Sequence, residues 1–138
     1  RPIVMTTIAM VAGMLPAASG RELLRERTAA LVGQRLRDPG LDIEAIAADL
    51  RCSKRALHKA FEDHGTSLHR YLWRSRLELA RRQLEDPRES ARSITSILLG
   101  AGFSSAAHFS RMFRQRYGAS PREWRAHGAR AAAAHTKE

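Results

Sequence analysis

Ile43-Glu44-Ala45-Ile46-Ala47 … Cys52-Ser53 … Leu57 … Phe61 … Gly65-Thr66-Ser67 returns about fifty residues later as Ile94-Thr95-Ser96-Ile97-Leu98 … Phe103-Ser104 … Phe109 … Phe113 … Gly118-Ala119-Ser120. Each copy reads as a short helix, a tight turn and a second helix. Ser53 and Ser104 are the expected N-caps, apolar residues recur four apart, and Gly65 and Gly118 are the expected left-handed stops. The offset between copies grows from 51 to 53 residues, so the second carries small insertions.

A helix-turn-helix needs a small residue where its helices cross, and Ala47 fills that place in copy one. Leu57 and Phe61 anchor the second helix of copy one, and Phe109 and Phe113 anchor that of copy two. The opposite face then carries Arg55, His58, Lys59 and Glu62 in the first copy. In the second it carries Ala106, Ala107, Ser110, Arg111 and Arg114. Long polar groups near a helix N-terminus are what reach base edges in the major groove.

Outward from the repeat, the punctuation predicts an all-α chain, since no alternating strand pattern occurs. Ser19-Gly20-Arg21-Glu22 is a capping box, opening a helix with Leu24, Thr28, Leu31 and Leu36 inward, which ends at Asp38-Pro39-Gly40. Asp42 caps Ile43–Leu50, and Ser67 opens the longest helix, to Glu85, before Asp86-Pro87. Eighteen residues span about 27 Å, against about 34 Å between successive major-groove faces. Ser93 caps Ile94–Gly100. Ser120-Pro121-Arg122-Glu123 is a second capping box with Pro at the first helical position, opening a short last helix through Trp124. The Ala-rich residues 127–138 read as a frayed or disordered tail.

Charge singles out the duplicated half. The chain has 138 residues, 24 Lys+Arg, 14 Asp+Glu and a net charge of +10. Residues 1–50 hold six Arg and six acids, so all the net charge lies in 51–138. Such segregation favours a polyanion partner over a merely solvated surface. Cys52 is the only cysteine, which fits a reducing cytosol and leaves no thiolate zinc site. The six His show no metal-ligand spacing, and no nucleophile–base set or glycine-rich phosphate loop occurs, so neither catalysis, a cofactor nor a metal is expected.

Residues 1–18 stand apart. Arg1 and the apolar run to Leu15 superficially resemble a signal peptide, but the run is too short to span a bilayer, so no membrane role is expected. The chain has no initiator Met and reads as a piece of something longer. Val4, Ile8, Val11 and Leu15 form one helical stripe, expected to pack on a further domain, on a partner as a homodimer seam, or on its own domain.

The residues also carry a family resemblance. The pieces are Ile43-x-x-Ile46-Ala47, Ser53-x-x-x-Leu57-x-x-x-Phe61, Gly65-Thr66-Ser67, Arg76-Leu77-x-x-Ala80-x-x-x-Leu84 and Ile94-x-x-Ile97. The most specific is Gly102-Phe103-Ser104-x-x-x-His108-Phe109-Ser110-Arg111-x-Phe113-Arg114-x-x-Tyr117-Gly118-x-Ser120-Pro121-x-x-x-Arg125. From about Leu41 to Arg125 the chain resembles the DNA-binding domain of the AraC/XylS family of bacterial transcription regulators. The resemblance implies a homeodomain-like fold of about seven helices over residues 19–126, with two helix-turn-helix subdomains joined by a long linker helix. It implies binding of double-stranded DNA, usually to activate transcription beside RNA polymerase, in the cytoplasm at the nucleoid. It also implies a sensor or dimerisation domain, of which residues 1–18 would be a remnant or link.

Carried onto matching positions, the base readers would be Arg55, His58 and Lys59 in copy one and Ala106, Ala107 and Arg111 in copy two. Two departures stand out. Leu98 occupies a place where the family usually has a small residue, so the second helix pair is expected to cross with a wider gap. Ala106 and Ala107 offer only methyl contacts, so copy one is expected to supply most of the base discrimination. Ser53, Ser104 and Ser105 suit either capping or phosphate, and Lys54, Arg74, Arg81, Arg114 and Arg122 are candidate phosphate clamps. Trp73 and Trp124 are expected in the core. A non-specific nucleic-acid-binding protein and a protein-interaction module remain the alternatives.

Overall fold

Every α-helix among the described residues starts on a side-chain oxygen that accepts a backbone N–H. Ser19 accepts from Glu22, Asp42 from Ala45, Ser53 from Ala56, Ser67 from Arg70, Ser93 from Ser96, Ser105 from His108 and Ser120 from Glu123. Each such cap is worth about 1 kcal/mol and fixes where a helix begins. The structure, a computed structural model, describes residues 19–136, with side chains described as far as residue 131. The helices are α1 Gly20–Arg35, α2 Ile43–Leu50, α3 Lys54–Glu62, α4 Leu68–Glu85, α5 Ile94–Gly100, α6 Ala106–Tyr117 and α7 Pro121–Thr136, with a 3-10 turn at Pro87–Glu89. There is no strand among the described residues, and the expected all-α class stands.

Both capping boxes close. Ser19 N–H donates to Glu22 at 3.0 Å and Ser120 N–H to Glu123 at 3.3 Å. Gly65 and Gly118 have the positive φ expected of stops.

Two expectations are corrected. Ser104 is not a cap; Ser105 is, and α6 starts at Ala106. Cys52 N–H donates to Ala47 O and Phe103 N–H to Leu98 O, both at 3.0 Å, so the two turns superpose as far as Cys52 and Phe103. Ser104 is therefore the residue inserted in copy two, between the turn and the cap. The last helix also runs past Trp124 to Thr136. Alanine is the best helix former, and α7 has something to lie on: Trp124 Nε1 donates to Glu85 at 3.0 Å, and an Arg125 N–H to Glu89 O at 3.1 Å. The stripe at Val4–Leu15 lies outside the described residues.

The helices enclose two cores. The first gathers Val32, Leu36, Leu41, Ile46, Leu57, Phe61, Leu68 and Leu72 from α1, α2, α3 and the start of α4. The second gathers Leu77, Ala80, Leu84, Ile97, Leu98, Phe103, Phe109 and Phe113 from the rest of α4 with α5 and α6, and Trp124 of α7 packs against it. Leu98, where a small residue was expected, is buried in this second core. One face of α4 thus changes core between Leu72 and Leu77, which is why a single 18-residue helix can carry both subdomains.

Arg76 stands at that change and is almost fully buried, at 2% exposed. Its guanidinium donates to three carbonyls of the α1–α2 loop: Leu36 at 3.3 Å, Asp38 at 2.8 Å and Leu41 at 3.1 Å. It also lies over the Trp73 ring, 4.8 Å from the centroid. Trp73 in turn meets Phe103 at 5.2 Å and His108 edge-on at 5.1 Å. One buried arginine and one tryptophan, a turn apart on α4, thereby tie the α1–α2 loop of the first subdomain to the turn and recognition helix of the second.

Candidate nucleic-acid interface

Anchoring decides what each recognition helix presents. On α3 the inward residues Leu57, Ala60 and Phe61 are buried, and Phe61 stacks on Tyr71 of α4 at 5.3 Å. On α6 the rings of Phe109, Phe113 and Tyr117 climb one face, 5.6 Å and 4.7 Å apart, with Phe103 closing the lower end at 4.9 Å from Phe109. A helix held by aromatic rings every four residues cannot roll without breaking its own core. Its other face is fixed outward.

That outward face is where the sequence placed the base readers. Arg55, Lys59, Ala106, Ala107 and Arg111 are exposed, and His58 is half-buried. His58 and Lys54 border a groove whose floor is His69, Trp73 and Arg76 of α4 and whose far side includes Ser104. The N-terminal half of α3 and the turn leading into α6 therefore flank one groove. His69 accepts a hydrogen bond from Trp73 Nε1 at 3.0 Å, which holds the floor rigid.

Charge pairing separates the cations. Among the described residues Arg55, Lys59, Arg111 and Arg122 have no acidic partner, whereas Lys54 pairs with Glu44 at 3.1 Å and Arg114 with Glu123 at 3.7 Å. Both pairs are well exposed and worth little in water, so either cation is free to exchange its carboxylate for a phosphate. Arg81 is committed elsewhere: it forks between Glu78 and Glu85. That pairing with Arg81, helped by the Tyr117 hydroxyl donating at 2.9 Å, holds Glu78 down at about 2. Burial, then the same hydrogen bond, pushes the Tyr117 phenol up to about 12. Burial lowers the Arg76 guanidinium below the usual arginine value, with Asp38 opposing.

Arg74 is not brought to the groove. On α4 it lies about 100° around from Trp73 and about 140° from His69, and it lines a separate cleft with Arg82 and Arg116. Ser53 and Ser105 are occupied as caps, Ser104 is exposed beside the groove, and Arg122 is exposed in the first turn of α7. The residue missed from the sequence is Arg76. Its signal was present, because Leu72, Arg76 and Ala80 are four apart on a stripe otherwise apolar, and an arginine there must find buried acceptors.

Two anchored helix-turn-helix units on one spar, with cationic outward faces, define a class of protein: a bipartite DNA-binding domain. A family model described as a helix-turn-helix domain matches residues 46–127. The activator NphR from a Rhodococcus species is 35% identical over 130 residues, covering 91% of this chain and 38% of that protein. The activator RhaS of Escherichia fergusonii is 45% identical over 83 residues, covering 59% of this chain and 29% of that protein. An AraC-type DNA-binding domain structure from Chromobacterium violaceum superposes with a TM-score of 0.70 at 32% identity, covering 81% of this chain and 97% of that one. A DNA-binding dual regulator from Escherichia coli K-12 shares the fold, with a TM-score of 0.68 at 22% identity.

The chain belongs to the AraC/XylS family of DNA-binding transcription regulators. It spans about three to four tenths of the length of these two curated relatives. Among the described residues no helix is long and apolar enough to cross a membrane.

Proposed function

We propose that this chain is the DNA-reading part of a sequence-specific transcription activator that sets α3 and α6 into successive major grooves on one side of a duplex. The observation that carries this is the shared groove: Lys54 and His58 of α3 and Ser104 before α6 border it together, with Trp73 and Arg76 as its floor. Arg55, His58 and Lys59 read bases from α3. Arg111 reads from α6, with methyl contacts from Ala106 and Ala107. Phosphates are held by the N-terminal turns at Ser53, Ser104 and Ser105 and by Lys54, Arg114 and Arg122. Arg74 contributes only if the duplex bends round the flank of α4.

The relatives named as activators support activation as the outcome; RNA polymerase as the neighbouring partner, and the cytoplasm at the nucleoid as the place of action, belong to this proposal. Dimerisation is assigned to residues 1–18 or to a further domain.

Selection of bound sites from a random duplex pool tests the reading. The expected result is one asymmetric site with two conserved blocks about one helical turn, roughly 34 Å, apart. Enrichment of a single block, or none, overturns it, and equal affinity for random duplex would leave a non-specific binder. Removal of residues 1–18 is expected to abolish self-association if the stripe is the seam.

A further inference from the structure

Half a turn around α4 from the proposed DNA-facing groove lies a separate cleft of about 550 Å³. One wall is α1, through Val32, Gly33 and Leu36. The floor is the far face of α4, and the other end is closed by Arg116 and Tyr117 at the end of α6. The cleft therefore touches both subdomains.

Three arginines line it, Arg74, Arg82 and Arg116. All are exposed, and none has an ion-pair partner among the described residues. Between Arg74 and Arg82 stands Glu78, already engaged by Arg81 and by the Tyr117 hydroxyl. Arg116 leans over the Tyr117 ring, 6.0 Å from its centroid.

Gly33 is the second observation. A glycine in the interior of a helix costs about 1 kcal/mol relative to alanine, so a packing reason is expected. There is none: a β-carbon there would meet nothing within 4 Å, and the backbone is helical. What the missing side chain does is leave the α1 wall of the cleft low.

We propose that this cleft is a docking site for an acidic amphipathic helix of a partner polypeptide, laid along α4. Charge complementarity selects the partner's sign. Spacing selects its form: Arg74 and Arg82 are eight residues apart, about 12 Å along the helix axis, too far for one carboxylate and right for acids two helical turns apart. The half-buried apolar surface of Ala29 and the Tyr71 and Tyr117 rings selects an amphipathic peptide over a sugar–phosphate backbone, which would gain little from it. Helix-in-groove recognition of this kind reads anchors at i, i+3, i+4 and i+7.

The test is fluorescence anisotropy with a labelled peptide repeating Glu-Leu-Ala-Ala, against a scrambled peptide of the same composition. Saturable binding is expected for the repeat and at least tenfold weaker binding for the scramble. Gly33→Leu adds an apolar side chain to the α1 wall at a position where a β-carbon meets nothing within 4 Å. It is expected to weaken the peptide at least tenfold while leaving the thermal melt no lower and random-duplex binding unchanged. The double substitution Arg82→Gln, Arg116→Gln is expected to weaken it likewise, by removing charge while leaving the wall intact. No saturable binding up to about 1 mM peptide, a binding free energy of about −4 kcal/mol, overturns the proposal. So does unchanged affinity in Gly33→Leu, or displacement of the peptide by random duplex, which would put the anion on the DNA-facing side. Because DNA binding is read separately on the same variants, failure here is distinct from failure of the DNA-reading function.

Discussion

A β-carbon on Gly102 would stand 2.6 Å from Arg76 Nε and 2.7 Å from the carbonyl oxygen of Leu36. Gly102 turns the second helix-turn-helix, Leu36 caps α1 of the first subdomain, and Arg76 lies between them on α4. Backbone from the second subdomain thus rests directly on the arginine that holds the loop of the first. The relative placement of α3 and α6, on which any two-groove reading depends, is set at this contact and at the Trp73 stack beside it.

Gly102→Ala therefore meets two penalties at once: a residue at φ +92, and a collision with an arginine that three carbonyls keep in place. Such strained or overpacked positions cost about 1–3 kcal/mol each, and a loss at the upper end or beyond is expected in urea unfolding. Arg76→Met leaves the carbonyls of Leu36, Asp38 and Leu41 without these donors, at a cost of about 1–3 kcal/mol for each one left buried and unsatisfied. The two substitutions share one contact, so their effects are expected to be non-additive. Strict additivity would deny the coupling.

Arg51 occupies in the first turn the place of Gly102 in the second. Its φ is +53, the only positive value among described non-glycine residues. Nothing buries its side chain, which is why a non-glycine survives here and cannot at 102. The left-handed conformation costs an L-residue about 1–2 kcal/mol, partly offset by the unfolded-state entropy that glycine adds. Arg51→Gly is expected to raise the urea midpoint by up to about 1 kcal/mol of stability. A lower midpoint would show that Arg51 makes a stabilising contact its exposure does not suggest.

Helix order, the two copies and most caps were legible because capping, glycine stops and four-residue apolar spacing are local. Ser67, Asp86 and the whole of α4 could be read that way. The shift from Ser104 to Ser105 was not, since two adjacent serines cap equally well on paper and only the packing of Phe103 decides between them. The length of α7 was missed for the opposite reason: alanine reads as tail or as helix depending on whether a surface such as Glu85–Glu89 receives it. Of the site, the outward residues of α3 and α6 were legible from what their inward faces bury. That Arg74 faces a different cleft from His69 required knowing which side of α4 each core takes.

Glu78 is expected to make a small contribution to acid stability. Its folded value, about 2, lies below its ordinary value of 4.5. The folded state thus favours the carboxylate, and the stabilisation is complete above about 4.5 and lost as pH falls toward 2. Glu78 is substantially exposed, so solvent screening keeps the effect small. Tyr117 has the opposite limb: its folded value is raised from 10 to about 12, so the stabilisation present below 10 is lost as pH rises through that window. Urea midpoints of Glu78→Gln across pH 2–5 are expected to vary less than those of the parent. An unchanged acid slope would show that other carboxylates govern it.

The division of labour between the two recognition helices gives the sharpest test on DNA. Arg111 is the one long donor among the proposed readers of α6, flanked by the methyls of Ala106 and Ala107. Arg111→Ala is expected to cost about 1–3 kcal/mol of binding and to relax preference at a single base pair. Arg122→Ala, at a proposed phosphate, is expected to weaken all sequences alike and to reduce the salt slope by about 1. If six to ten phosphates are neutralised, parent affinity falls about 10³–10⁵-fold between 50 and 200 mM salt. Operator scanning then compares the half-sites. Substitutions under α3, where Arg55, His58 and Lys59 all face outward, are expected to cost more in total than those under α6. Equal losses on both sides would mean that backbone and methyl contacts from α6 discriminate as strongly as three long polar side chains.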